Sequence, residues 1–248
     1  MFWELAGRCI EIWRCNARTL AVISATWFAL IVAWVLFLKS GAISGVSATS
    51  LKLAILVFHH CFNLLAGVAI AVTWHRFILL REVPECRTFK LSGNEVGYCS
   101  CLLTISFIWG VVVGLPALLL FAAFGKYGFY WVGLLILLLL PLSYRLSLVL
   151  PAAAIGESFS FFDAWKVSRG MGLPMLLANL VLLIPVFGIA FILSIFSVLV
   201  RRIADRGFYI LTDAVVEQVI GLSMALAYVT ILSVSYNYAK ERWFSEFN

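Results

Sequence analysis

The sequence predicts an all-α integral membrane protein with six transmembrane helices and two amphipathic helices lying at the cytoplasmic interface. Three observations carry that expectation. Of the 248 residues, 64% are hydrophobic and 12% charged, where an ordinary soluble domain has roughly 25% charged residues. The apolar residues gather into long blocks rather than alternating or heptad patterns, and the blocks reach the roughly 20 residues that a helix needs to cross a hydrocarbon core. Lys and Arg, finally, are distributed unequally between the two faces that such blocks define.

The chain reads as one transmembrane domain over residues 1–248. Residues 3–18, WELAGRCIEIWRCNAR, sort on a helical wheel into a charged side (Glu4, Arg8, Glu11, Arg14, Arg18) and an apolar side (Trp3, Leu5, Ala6, Cys9, Ile10, Ile12, Trp13). This is the pattern of an interfacial helix, or of a helix packing on the rest of the protein through the same apolar side. Spans are predicted over about 20–38, 51–74, 101–124, 129–150, 173–200 and 214–236. The first is too long for a secretory h-region of about 7–15 residues and is read as a retained span. Gly125–Gly128 is short enough to fold spans three and four into a tight antiparallel hairpin. Gly110, Gly114 and Pro116 in span three and Pro185 in span five favour bends or close helix contacts without ending a span.

Span four runs into Pro151, which disfavours helical geometry in the residue before it. Ser160 and Asp163 then form an S-x-x-D helix-start signal, so a second interfacial helix is expected over about 160–170. With six spans both termini share a side. That side carries twelve Lys and Arg, and the other carries six, which places both termini in the cytoplasm. Arg201, Arg202 and Arg206 pull locally the other way. A charged or amphipathic segment followed by two spans recurs at a spacing of about 75–80 residues, the layout of three repeated helix-plus-hairpin units.

Two polar constellations are candidates for chemistry. His75, Arg76, Arg145 and Arg169, with Glu157 and Asp163 nearby, all fall at the cytoplasmic ends of spans. They could form a site for a lipid phosphate or an acidic solute, since a guanidinium offers two parallel donors to a phosphate. The alternative for Arg145 is a side chain that snorkels to the headgroups. His59, His60 and Asn63 lie near the middle of span two, where polar groups are costly and should face other helices or a wet cavity. Adjacent residues on a helix point about 100° apart, so the two histidines do not chelate one ion without distortion. Glu217 and Gln218 form a further deep polar pair, facing the outer arginines.

No metal site is expected: Cys9, Cys15, Cys61, Cys86, Cys99 and Cys101 show no zinc-type spacing and read as small apolar fillers. The chain has no nucleophile elbow, HExxH, P-loop or GxGxxG motif, so neither catalytic residues nor a cofactor are predicted. The partners expected are membrane lipids and another membrane protein or a second copy, not nucleic acid.

The runs AVTWHRFILLRE at 71–82 and RLSLVLPAAAIGESFSFFDAWKVSRG at 145–170 resemble segments of uncharacterised bacterial six-span inner-membrane proteins. Those are similar in layout to the membrane domain found beside glycerophosphodiester phosphodiesterases. The resemblance implies a multi-pass helical bundle in the bacterial cytoplasmic membrane; the phosphodiesterase activity is not carried over, because no such domain is appended. Two functions fit: a non-enzymatic membrane module that binds or organises lipid or a partner, or a small transporter component for an acidic solute or lipid.

Overall fold

The structure, a computed structural model, describes residues 1–39, 49–82, 93–203 and 205–247, with residues 203, 206 and 243–247 in backbone only. Among them every regular element is helical. Five stretches, Phe2–Lys39, Thr49–Leu80, Gly93–Ile155, Gly172–Arg202 and Gly207–Arg242, are long and apolar enough to cross a membrane, the third of them made of several helices. The loop at 40–48, and Pro84, Cys86, Arg87 and Lys90 of the connector, lie outside the described residues.

The first helix, α1 (Phe2–Lys39), joins the expected interfacial segment to the first span, with one non-helical residue, Asn16 (φ −124°, ψ 23°), between them. Its side-chain amide donates to the Ile12 carbonyl at 2.9 Å, covering an acceptor at the break. Leu5, Ala6 and Cys9 are buried in the core, whereas Trp3 is 68% exposed. Of the two partners open to this apolar side, the protein takes the centre of the stripe. Helix α2 (Thr49–Leu80) runs one and a half turns beyond the expected span and ends at Arg81, which has φ +58°.

Helix α3 (Gly93–Phe124) is followed by a 3-10 turn at Gly125–Tyr127 and by α4 (Gly128–Leu146). The chain reverses at this turn: a Cβ on Gly128 would lie 2.7 Å from the Leu120 carbonyl oxygen, eight residues back and two turns away in a straight helix. Pro116, Pro141 and Pro185 are all accommodated inside helices.

Span four is shorter than expected, and Pro151 is not where it stops. The break comes at Ser147–Leu148, and Pro151 sits in the first turn of a short helix, α5 (Val149–Ile155), where a missing N–H costs little. Helix α6 (Phe161–Val167) has the capping box read from the sequence. Asp163 N–H donates to Ser160 Oγ at 3.1 Å, and Ser160 N–H to Asp163 Oδ2 at 3.0 Å. Helix α7 (Gly172–Ile203) begins against α4 so closely that a Cβ on Gly172 would overlap the Pro141 carbonyl oxygen and lie 3.0 Å from Arg145 Cγ. Helix α8 (Arg206–Phe247) packs on α7, α1 and α2.

The core is concentrated at one end of the bundle. It is built from Leu5, Ala6 and Cys9 of α1, Ala66–Ile78 of α2, Tyr144–Ala154, Met171, Met175–Val186 of α7 and Leu226–Ala239 of α8. Toward the other end the hairpin of α3 and α4 presents its apolar side chains outward: Phe107 is 72% exposed and Leu119 71%, as lipid-facing residues are.

Candidate functional site

The tightly packed end of the bundle is also the polar end, and the C-terminal part of α8 runs through its centre. Tyr228, Thr230, Ser233 and Tyr236 interrupt an apolar helix, and each finds a partner on a different element. Thr230 Oγ1 accepts from the indole N–H of both Trp13 (2.9 Å) and Trp74 (2.8 Å) and donates to the Leu226 carbonyl, using its whole hydrogen-bonding capacity. Ser233 Oγ lies 2.7 Å from His75 Nδ1. Tyr228 OH donates to Ser147 Oγ at 2.6 Å, and Asn179 Nδ2 donates to Tyr144 OH at 2.8 Å.

Beyond this core, three clefts open around α8. The first and second adjoin, sharing Ala239, with Arg242 in the first and Tyr236 and Lys240 in the second; Val234, Asn237 and Glu241 line the third, which lies on a different stripe of the helix from the first.

The first cleft, about 740 Å³, is lined by Arg145, Lys166, Arg169 and Arg242, with Trp165 as its largest apolar wall. Arg145 does not simply reach outward. Its guanidinium lies 3.8 Å from the centre of the Trp165 ring, Nη2 donates to the Trp165 carbonyl at 2.6 Å, and Nε donates to Ser168 Oγ at 3.2 Å. The geometry is that of a cation fixed against a short helix, with stacking and hydrogen bonds both orienting it. Lys166 sits 4.3 Å over the Phe162 ring. Among the described residues, no carboxylate lines this cleft.

The second cleft, about 280 Å³, holds Glu157 and Asp163. Glu157 accepts from Lys240 Nζ at 2.6 Å and from Tyr236 OH at 2.5 Å. Partial burial pushes the Glu157 carboxyl up, but the hydrogen bonds from Lys240 and Tyr236 and the charge of Lys240 outweigh it and hold the group below its usual range. Asp163 is held low by the Ser160 hydroxyl and backbone N–H. The third cleft, about 400 Å³, lies between the N-terminal segment of α1, the end of α2 and α8.

The residues grouped on the sequence are thus divided. Arg145 and Arg169 share the first cleft. Arg76 instead forms a two-point ion pair with Glu82 (2.8 and 2.7 Å) and reaches the Ala154 carbonyl at 3.4 Å. His75 is fully buried, with no hydrogen-bond partner for Nε2 among the described residues and the Tyr98 ring beside it. Glu157 and Asp163 belong to the second cleft. Lys166 and Arg242 were absent from the sequence grouping; the signal for Lys166 was its position one turn from Arg169, while Arg242 enters only through the path of α8.

The span-two cluster is a packing feature on this geometry. His59 Nδ1 lies 3.1 Å from the Trp34 indole nitrogen, and Asn63 Nδ2 donates to the His59 carbonyl at 2.8 Å. His60 is exposed, and none of the three clefts reaches these residues. Glu217 pairs with Lys39, which bridges it (3.0 Å) and Asp213 (2.7 Å). Among the described residues no group of three or more His, Cys, Asp or Glu is placed to hold a metal ion.

Comparison of the chain with protein-family models, with curated proteins and with solved structures finds no match.

Proposed function

We propose that the protein is a non-enzymatic, six-span module of a bacterial cytoplasmic membrane, with both termini in the cytoplasm, that binds the anionic headgroups of membrane lipids. The observation that carries the reading is the first cleft: four cations, Arg145, Lys166, Arg169 and Arg242, line one concave surface, and among the described residues that line it there is no carboxylate. A surface of that composition at the end of a bundle of apolar helices favours a phosphate held by several charge-assisted hydrogen bonds. The orientation is supported by the excess of Lys and Arg on the same side. A transporter remains the second class of function, but His59 and His60, which suggest it, line none of the three clefts.

The test is lipid retention by native mass spectrometry after extraction from mixed vesicles. Arg145 also ties α4 to α6, so the variant of choice is Arg169→Ala with Arg242→Ala. Loss of two charge-assisted contacts should reduce retained phosphatidylglycerol by about tenfold or more and leave phosphatidylcholine unchanged. Equal phosphatidylglycerol retention in the variant and the parent would remove the proposal.

A further inference from the structure

The third cleft differs from the first in every respect that selects a ligand. Its rim carries two positive residues, Arg8 and Arg81, and two negative ones, Glu11 and Glu241, so that its formal charge cancels; Ile78 and Val234 belong to its apolar part. The side chains of Glu11, Arg81 and Glu241 make no hydrogen bond or ion pair with any described residue, while Arg8 is already paired with Glu4 at 3.0 Å.

Two interruptions of helical geometry also meet here. Asn16, the non-helical residue within α1, lines the cleft, and so does Arg81, which is the sole non-glycine residue with positive φ among those described. A bulky residue in the left-handed region costs energy and persists where its surroundings hold it, as they do at ligand sites.

From this arrangement we infer that the third cleft binds a zwitterionic headgroup that joins a phosphate to a primary ammonium. The phosphate pairs with Arg81, and the ammonium lies between Glu11 and Glu241. A simple anion would meet two carboxylates and a simple cation two guanidiniums, so neither matches the rim. A primary ammonium donates N–H hydrogen bonds to carboxylates; a quaternary ammonium has no N–H to donate, which separates ethanolamine from choline headgroups. The apolar part of the cleft suits the glycerol and first methylenes of a phospholipid. The same headgroup chemistry could arrive as free phosphoethanolamine. This site uses a different stripe of α8 from the cationic cleft, and its failure would leave the anionic-lipid reading intact.

Cys15 lines the cleft and is exposed, which provides a reporter in the protein as it stands. The full chain is placed in nanodiscs of phosphatidylcholine, alone or mixed with phosphatidylethanolamine or phosphatidylglycerol. Labelling of Cys15 by a water-soluble maleimide is then followed by peptide-resolved mass spectrometry. Phosphatidylethanolamine should slow labelling about tenfold relative to the other two lipids, and Glu11→Gln with Glu241→Gln should abolish the protection while phosphatidylglycerol retention is unchanged. Soluble phosphoethanolamine added to phosphatidylcholine discs separates the sources: protection by it assigns the site to the free zwitterion, and protection by the phospholipid alone assigns it to lipid. Equal labelling in every disc and with the soluble compound would overturn the inference. So would equal protection by phosphatidylglycerol, or protection that survives in the double variant. The comparison among lipids needs no variant and stands if the substitutions impair folding.

Discussion

The α3–α4 hairpin and the C-terminal half of α8 are both helical and long enough to belong to a membrane, yet they are used in opposite ways. In α3 only Tyr98 and Ile105 are buried, near its start, and the rest of the helix offers Phe, Leu and Val to the surroundings. In α8 the stretch from Leu226 to Ala239 is almost wholly buried, and it is there that Thr230, Ser233, Ser235 and Tyr236 are found. The soluble-protein rule is inverted. In a bilayer the apolar surface gains little by leaving the lipid, so helices associate through small residues, close packing and hydrogen bonds. The more polar helix is the interior one, and the clefts open around it.

The contrast is most exposed to failure at the α4–α7 crossing. Gly172→Ala puts a methyl group into the Pro141 carbonyl and against Arg145 Cγ, so relief requires the helices to separate. A loss of about 3 kcal/mol or more is expected, read as a fall in thermal midpoint in detergent together with loss of monodisperse protein. Leu119→Ala, on the exposed hairpin, should stay within about 0.5 kcal/mol of the parent. If the two substitutions cost the same, the division into a packed end and a lipid-facing hairpin is wrong.

A smaller effect is expected at Thr230. Replacing it by Val keeps the shape but removes the acceptor shared by Trp13 and Trp74, and each buried donor left unpaired costs about 1–3 kcal/mol. Indole fluorescence during chemical unfolding should show an earlier transition. An unchanged midpoint would mean that Thr230 does not organise the α1, α2 and α8 junction.

The smallest effect concerns pH. Glu157 has a depressed carboxyl value in the folded protein, so its ion pair with Lys240 contributes fully above the unfolded carboxylate range of about 4.3. That contribution is lost as pH falls through the lower folded value. Protection from hydrogen exchange over residues 156–168, taken relative to the intrinsic rate at each pH, should therefore hold at pH 5 and fall only on stronger acidification, and Glu157→Gln should flatten the dependence. Loss of protection beginning near pH 6 would contradict the assignment.

Much of the layout was legible in the sequence because it depends on local chemistry. Ser160 and Asp163 announced a helix start that the structure places within one residue, and the Gly125–Gly128 turn was short enough to force a reversal. Other features depended on neighbours. Pro151 looked like a stop and proved to be a first-turn residue, because Ser147 and Leu148 had already broken the helix. His75 and Arg76 looked like partners of Arg145, but they sit one after the other on α2 and so point apart, one into the core and the other toward Glu82.

What the sequence alone determined is a chain of long apolar helices with a charged end, since helix length and the exclusion of charge from hydrocarbon are set by composition and order. Which side of each helix faces inward was decided only by the tertiary structure. Leucine is about as stable against lipid as against another leucine, so hydrophobicity carries no sign for inside or outside. The same limit applies to the clefts. Arg145, Arg169 and Arg242 become one surface, and Arg81, Glu11 and Glu241 another, only because α8 passes between them and turns a different stripe to each.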